Sequence, residues 1–152
     1  MRGLSLSACL LVWAASLQAQ GTSNNAPTRS WGPAPAVFPG GAQMAVISGD
    51  PAKAAPFTVE LSLPDGYRLP PHFHPTDETV EVRQGTFLVG MGDSLDVTKA
   101  NAMEVGAKGT VPARVHHYAV TRGATVVAVT AIGPFAMTYV NPSDNPQTAT
   151  RP

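Results

Sequence analysis

Between Ala36 and Asn141 the chain alternates short apolar runs with turn residues. The runs read as strands at Gln43–Ser48, Phe57–Leu63, Leu69–His74, Thr79–Gln84, Thr86–Met91, Ala102–Val105, Thr110–Val111, His116–Thr121, Thr125–Ile132 and Phe135–Val140. Gly49-Asp50, Pro64-Asp65-Gly66, Gly92-Asp93 and Gly133-Pro134 punctuate them, and these residue types favour tight turns. Only Leu95–Asn101 hints at a helical turn. Many short strands at close spacing in one domain-sized stretch predict an all-β domain, a single sandwich or barrel.

Side chains on a strand alternate between its faces. His72 and His74 therefore share a face, with Phe73 on the other. After the bend at Pro75-Thr76-Asp77, Glu78, Val80 and Val82 share one face, while Thr79, Glu81 and Arg83 share the solvated one. Glu78 is thus directed inward, where an unpaired carboxylate costs several kcal/mol. Neutral imidazoles do not balance that charge, whereas a divalent metal accommodates the carboxylate and the imidazoles together. The only other histidines are His116 and His117. By alternation His117 goes with Ala119 and His116 with Tyr118, so one of the two histidines can join the inward set.

These residues resemble a known family. Gly66, His72, His74, Glu78 and Gly85 stand at the spacings of the first cupin motif. Gly106, Pro112 and His117 resemble the second, with Arg114 where the family has glycine and Thr121 where it often has asparagine. Arginine tolerates positive φ poorly, so Arg114 puts the usual tight turn in question. The likeness spans roughly Phe57 to Val140 and points to small, exported, single-domain bacterial cupins. It implies a single cupin jelly-roll β-barrel with one divalent transition metal (Fe, Mn, Zn or Ni) held by His72, His74, Glu78 and His117. It also implies pairing of two copies through their sheets, with the N-terminal arm placed to add a strand to a neighbour.

Other residues receive lesser roles. Glu78 and His116 are the candidates for proton transfer, and His116 is otherwise an exposed neighbour of the site. Tyr118 is expected to pack with its hydroxyl at the surface, and Met91, Met103 and Met137 to fill the core. Arg114 and Arg68 fall near the expected mouth of the barrel, and Thr76 and Asp77 shape the bend. The inward positions Val80, Val82 and Ala119 suit an apolar or aromatic small molecule better than a sugar phosphate. A metal-dependent enzyme (dioxygenase, isomerase or lyase type) is the first functional reading. A non-catalytic module that binds or senses a small molecule is the second.

The ends add a location. Residues 1–19 carry Arg2, an apolar Leu4–Leu17 run and a small residue at Ala19, the pattern of a cleaved signal peptide for a periplasmic or secreted protein. Residues 20–35 read as a flexible arm, 36–141 as the cupin domain and 142–152 as a flexible tail. Cys9 is the only cysteine and would leave with the signal, so the mature chain has neither disulfide nor thiolate site. The formal net charge is zero with no basic run, which speaks against nucleic acid and, after signal cleavage, a membrane surface as partner.

Overall fold

The computed structural model describes residues 29–148, so the signal-peptide reading lies outside the described residues. Nine antiparallel strands form one curled sheet: β1 (Gly32–Pro33), β2 (Gln43–Ser48), β3 (Pro56–Leu63), β4 (Arg68–Phe73), β5 (Glu78–Met91), β6 (Asn101–Met103), β7 (Lys108–Val111), β8 (His117–Ile132) and β9 (Thr138–Tyr139). The all-β architecture is the one expected from the spacing of the apolar runs, and the jelly roll is the one the family resemblance implied.

Strands β5 and β8 form the spine. They pair along their whole length, from Glu78 opposite Ala131 to Met91 opposite His117. The second half of β8 also pairs with β3, and its first half with β4. Two long strands stand where four short ones were expected. Gly85 and Gly123 take positive φ but make irregularities rather than turns, and the ladder shifts register around Gly85 without ending. A side chain at Gly85 would press within 2.6 Å of the Ala124 carbonyl. Curling turns one face inward, where Phe57, Val59, Leu61, Leu63, Val80, Val82, Val127 and Val129 are buried.

Three local expectations are corrected. The stretch from Leu95 to Ala100 forms a turn and Asn101 already opens β6, and the one helical turn among the described residues is Pro142–Asp144, inside the expected tail. Part of the expected flexible arm is ordered. β1 pairs with the chain's own β2, and Arg29 forms a two-pronged ion pair with the buried Glu60 on β3. Met91 is 55% exposed, because it ends β5 at the rim of the barrel, whereas Met137 is buried. No helix among the described residues is long and apolar enough to cross a membrane.

Candidate metal centre and cavity

Three strands bring the four predicted residues together. His72 lies in β4, His74 just beyond its end, Glu78 opens β5 and His117 opens β8. His72 is in register with His117 on one side and Tyr139 on the other. Pro70 and Pro71 would break a regular ladder, and the β4–β8 pairing shifts register between Leu69 and His72. The parity of Arg68 with the histidines is thereby lost. Arg68 is exposed and does not line the cavity, and neither does Arg114.

The three imidazoles are fixed by the backbone. Nδ1 of His72 donates to the Pro70 carbonyl at 2.7 Å, that of His74 to Ala136 at 2.8 Å and that of His117 to Val115 at 3.0 Å. With Nδ1 protonated, each Nε2 keeps a lone pair. One ring nitrogen from each of the three lies within 4.8 Å of the others, close enough to hold one metal ion. His74 Nε2 is buried with no hydrogen-bond partner among the described residues, which is how a nitrogen that ligates a metal would stand. The Glu78 carboxylate stands beside two of them, 3.4 Å from His117 Nε2 and 3.6 Å from His74 Nε2, with its side chain only 12% exposed. A set of nitrogen donors with one carboxylate fits a divalent transition metal.

The electrostatics agree with that chemistry. Burial, aided by His117 and His74, lowers His72 to about 3, so its ring is neutral and available as a donor. Burial pushes the Glu78 carboxyl up, but its contact with His117 and the neighbouring imidazoles outweighs that. The net direction is down, and the carboxylate stays ionised.

The cluster opens into a cavity of about 150 Å³. Apart from His72, His74, Glu78 and His117, its polar side chains are Asn101 and Thr110, both exposed. The rest of the wall is apolar, including Phe38, Leu69, Val80, Phe87, Val89 and Ala119. Val82, expected on this wall, packs in the core instead. His116 stands outside. It bonds Asp93 at 2.6 Å and stacks on Phe73, 5.2 Å between centroids. Tyr118 is also corrected: it is 1% exposed, and its hydroxyl donates to the Asp96 carbonyl at 2.7 Å. Its ring lies over Gly90, the residue opposite it on β5. A glycine within a strand signals such a close approach, and Gly90 carried that signal in the sequence.

Phe38 also went unrecognised as a site residue. It sits in the β1–β2 loop, 34–42, and projects into the barrel, buried at 7% exposure. Buried tyrosines tie that loop down: Tyr67 donates to the Pro39 carbonyl and Tyr139 to Val37, each at 2.7 Å. Burial pushes both hydroxyls up, Tyr139 to about 12, so they remain protonated donors. A lone aromatic within Ala34-Pro35-Ala36-Val37-Phe38-Pro39-Gly40 was the available signal.

No family model matches the chain, and no curated protein sequence does. Solved structures do. An RmlC-like cupin from Shewanella frigidimarina aligns at TM-score 0.55 and 17% identity, over 69% of this chain and 84% of that one. A proposed acetylacetone dioxygenase from Methylibium petroleiphilum aligns at TM-score 0.61 and 19% identity, over 91% and 90%. A polyketide cyclase from Streptomyces resistomycificus aligns at TM-score 0.57 and 19% identity, over 69% and 75%. The chain has the fold of the cupin superfamily, as its first motif implied.

Proposed function

We propose that His72, His74, His117 and Glu78 hold one divalent transition metal and that the chain is an enzyme acting on a small molecule in the adjoining cavity. The observation that carries this reading is the set of inward Nε2 lone pairs, each imidazole pinned through Nδ1, with His74 Nε2 unpartnered among the described residues. Such an ion supplies a Lewis acid for an oxygen-bearing group and, as iron or manganese, a centre for oxygen-dependent chemistry. The protein's own groups then bind and orient. The apolar wall excludes water around the bound molecule, which strengthens charge interactions there. Glu78 is the one carboxylate lining the cavity among the described residues and is the group placed to hold a proton that the reaction releases. The dioxygenase and cyclase among the structural neighbours support enzymatic use of this fold without fixing the reaction.

A non-catalytic binding or sensing role is the second reading. It is favoured by the lack, among the described cavity residues, of a buried acid or base beyond the four proposed ligands. Metal analysis of residues 20–152 purified without chelators tests the site: near one equivalent is expected, and lost in His74→Ala. Metal-dependent oxygen uptake or turnover across a panel of apolar carbonyl compounds supports the enzyme. Tight binding of such a compound without turnover supports the sensor. Absence of metal from the wild type overturns both readings. We also propose export, supported by the pattern of residues 1–19. The intact mass of protein expressed with its own N-terminus checks cleavage after Ala19, and a mass retaining residues 1–19 rejects it.

A further inference from the structure

The cavity and the loop that closes it say more about the ligand. At about 150 Å³, an apolar cavity accommodates a molecule of roughly benzene's size. No lysine or arginine lines it among the described residues, so nothing there balances a phosphate or a second carboxylate. The metal-ligating candidates gather at one place in the wall, and the remaining buried wall offers no hydrogen-bonding side chain. A molecule with several hydroxyls would lose its water shell without replacement partners.

Phe38 bounds this space. Together with Glu78, Leu61 and Val129 it lines both the main cavity and an adjoining apolar pocket of about 40 Å³. Its ring stacks on Phe135 at 6.0 Å and 8° between planes, and Phe135 lies 5.4 Å from the His74 ring. The loop carrying Phe38 is anchored on both sides of that residue through the Val37 and Pro39 carbonyls. The ring is therefore held as a partition rather than as a free lid.

We propose that the cavity takes a small apolar molecule with a single oxygen-bearing, metal-seeking group, and that Phe38 sets the length of its apolar part. This rests on the metal reading above for the anchoring group. The polar group meets the imidazole cluster, and the hydrocarbon body lies against the apolar wall and ends at Phe38. Removing the Phe38 ring joins the two spaces.

Straight-chain alkyl hydroxamates, from acetyl to decanoyl, test the proposal on Co(II)-loaded protein, residues 20–152. Binding is followed by calorimetry, and the Co(II) absorption reports that the imidazole cluster is formed. Affinity is expected to rise about fourfold per methylene until the chain meets Phe38, then fall. Gluconohydroxamate, of matching head but polar body, is expected to bind no better than the acetyl compound. Phe38→Ala is expected to move the best chain to greater length, and Phe38→Trp to shorter length, so a folding failure of either variant leaves the other to decide. A flat series, or equal binding of the polar probe, with the Co(II) spectrum intact overturns the proposal and leaves the metal reading standing. An unmoved optimum in the folded Phe38 variants overturns the role of that residue. Absence of a Co(II) spectrum in the wild type overturns the metal reading and this proposal together.

Discussion

The backbone N–H of Arg114 donates to the carbonyl of His74 at 2.8 Å. This contact docks the Pro112–Val115 turn on the bend that carries His74, and Asp77 reinforces it by accepting from the Ala113 N–H at 2.8 Å. The tight turn put in question by the sequence is present, because Arg114 itself adopts φ 63°. An exposed side chain and two flanking hydrogen bonds let a non-glycine residue stay there at a cost of about 1 kcal/mol. Arg114→Gly is therefore expected to stabilise the fold by up to about 1 kcal/mol, and Asp77→Ala to destabilise it by about 1 kcal/mol. Urea denaturation of both variants decides; a destabilised Arg114→Gly would refute the account of the turn.

Metal addition should stabilise the protein by mass action. At a free Co(II) or Zn(II) concentration about a hundred times Kd the gain is about 2.7 kcal/mol. Thermal melts with and without metal should show this rise for the wild type and not for His74→Ala or His117→Ala. An equal rise in all three would place the metal elsewhere.

Acid should destabilise the metal-free protein in a defined window. His72 goes from an ordinary 6.5 to about 3 on folding. From pH about 6.5 down to about 3, the unfolded chain takes up a proton there that the folded chain refuses, so stability falls by up to about 1.4 kcal/mol per pH unit. Glu78 adds loss of the same sign below its ordinary 4.5, since its carboxyl is lowered by folding. Denaturation at a series of pH values should show the decline beginning above pH 5 in the wild type and flattened there in His72→Gln. A wild-type stability constant between pH 6.5 and 4.5 contradicts the buried, neutral assignment of His72.

Gly90 is required by Tyr118. A Cβ at residue 90 would fall 2.1 Å from Tyr118 Cζ, inside any tolerable contact. Gly90→Ala should cost about 3 kcal/mol, because the ring is fully buried and cannot swing away. Tyr118→Phe, which loses only the bond to Asp96, should cost about 1 kcal/mol. Equilibrium unfolding that ranks the two the other way would show that Tyr118 can relocate.

Glu60 is buried on the outer face of β3, and its ion-pair partner is Arg29. Arg29→Ala should lower the melting temperature by stranding that carboxylate. Adding Glu60→Gln should recover part of the loss. A double variant no more stable than Arg29→Ala would show that the charge of Glu60 was not the cause.

Much of this protein was legible in the chain itself. The period of two along Glu78–Val82 and His72–His74 assigned faces, because strand geometry is local and side-chain parity needs no tertiary information. The spacing of Gly66, His72, His74, Glu78 and Gly85 pointed to the fold and to the cluster through its resemblance to the first cupin motif. What the sequence left open depends on partners distant along the chain. Whether Gly85 and Gly123 end strands or only bend them depends on β5 and β8 continuing to pair across them. His117 rather than His116 faces the cavity because its register opposite His72 fixes it there. Tyr118 is buried, against expectation, because Gly90 on a neighbouring strand makes room for its ring. Phe38 reaches the cavity only because Tyr67 and Tyr139, far along the chain, hold its loop across the barrel. Short-range periodicity thus determined which residues face inward. Long-range strand pairing and hydrogen bonding decided which of them meet.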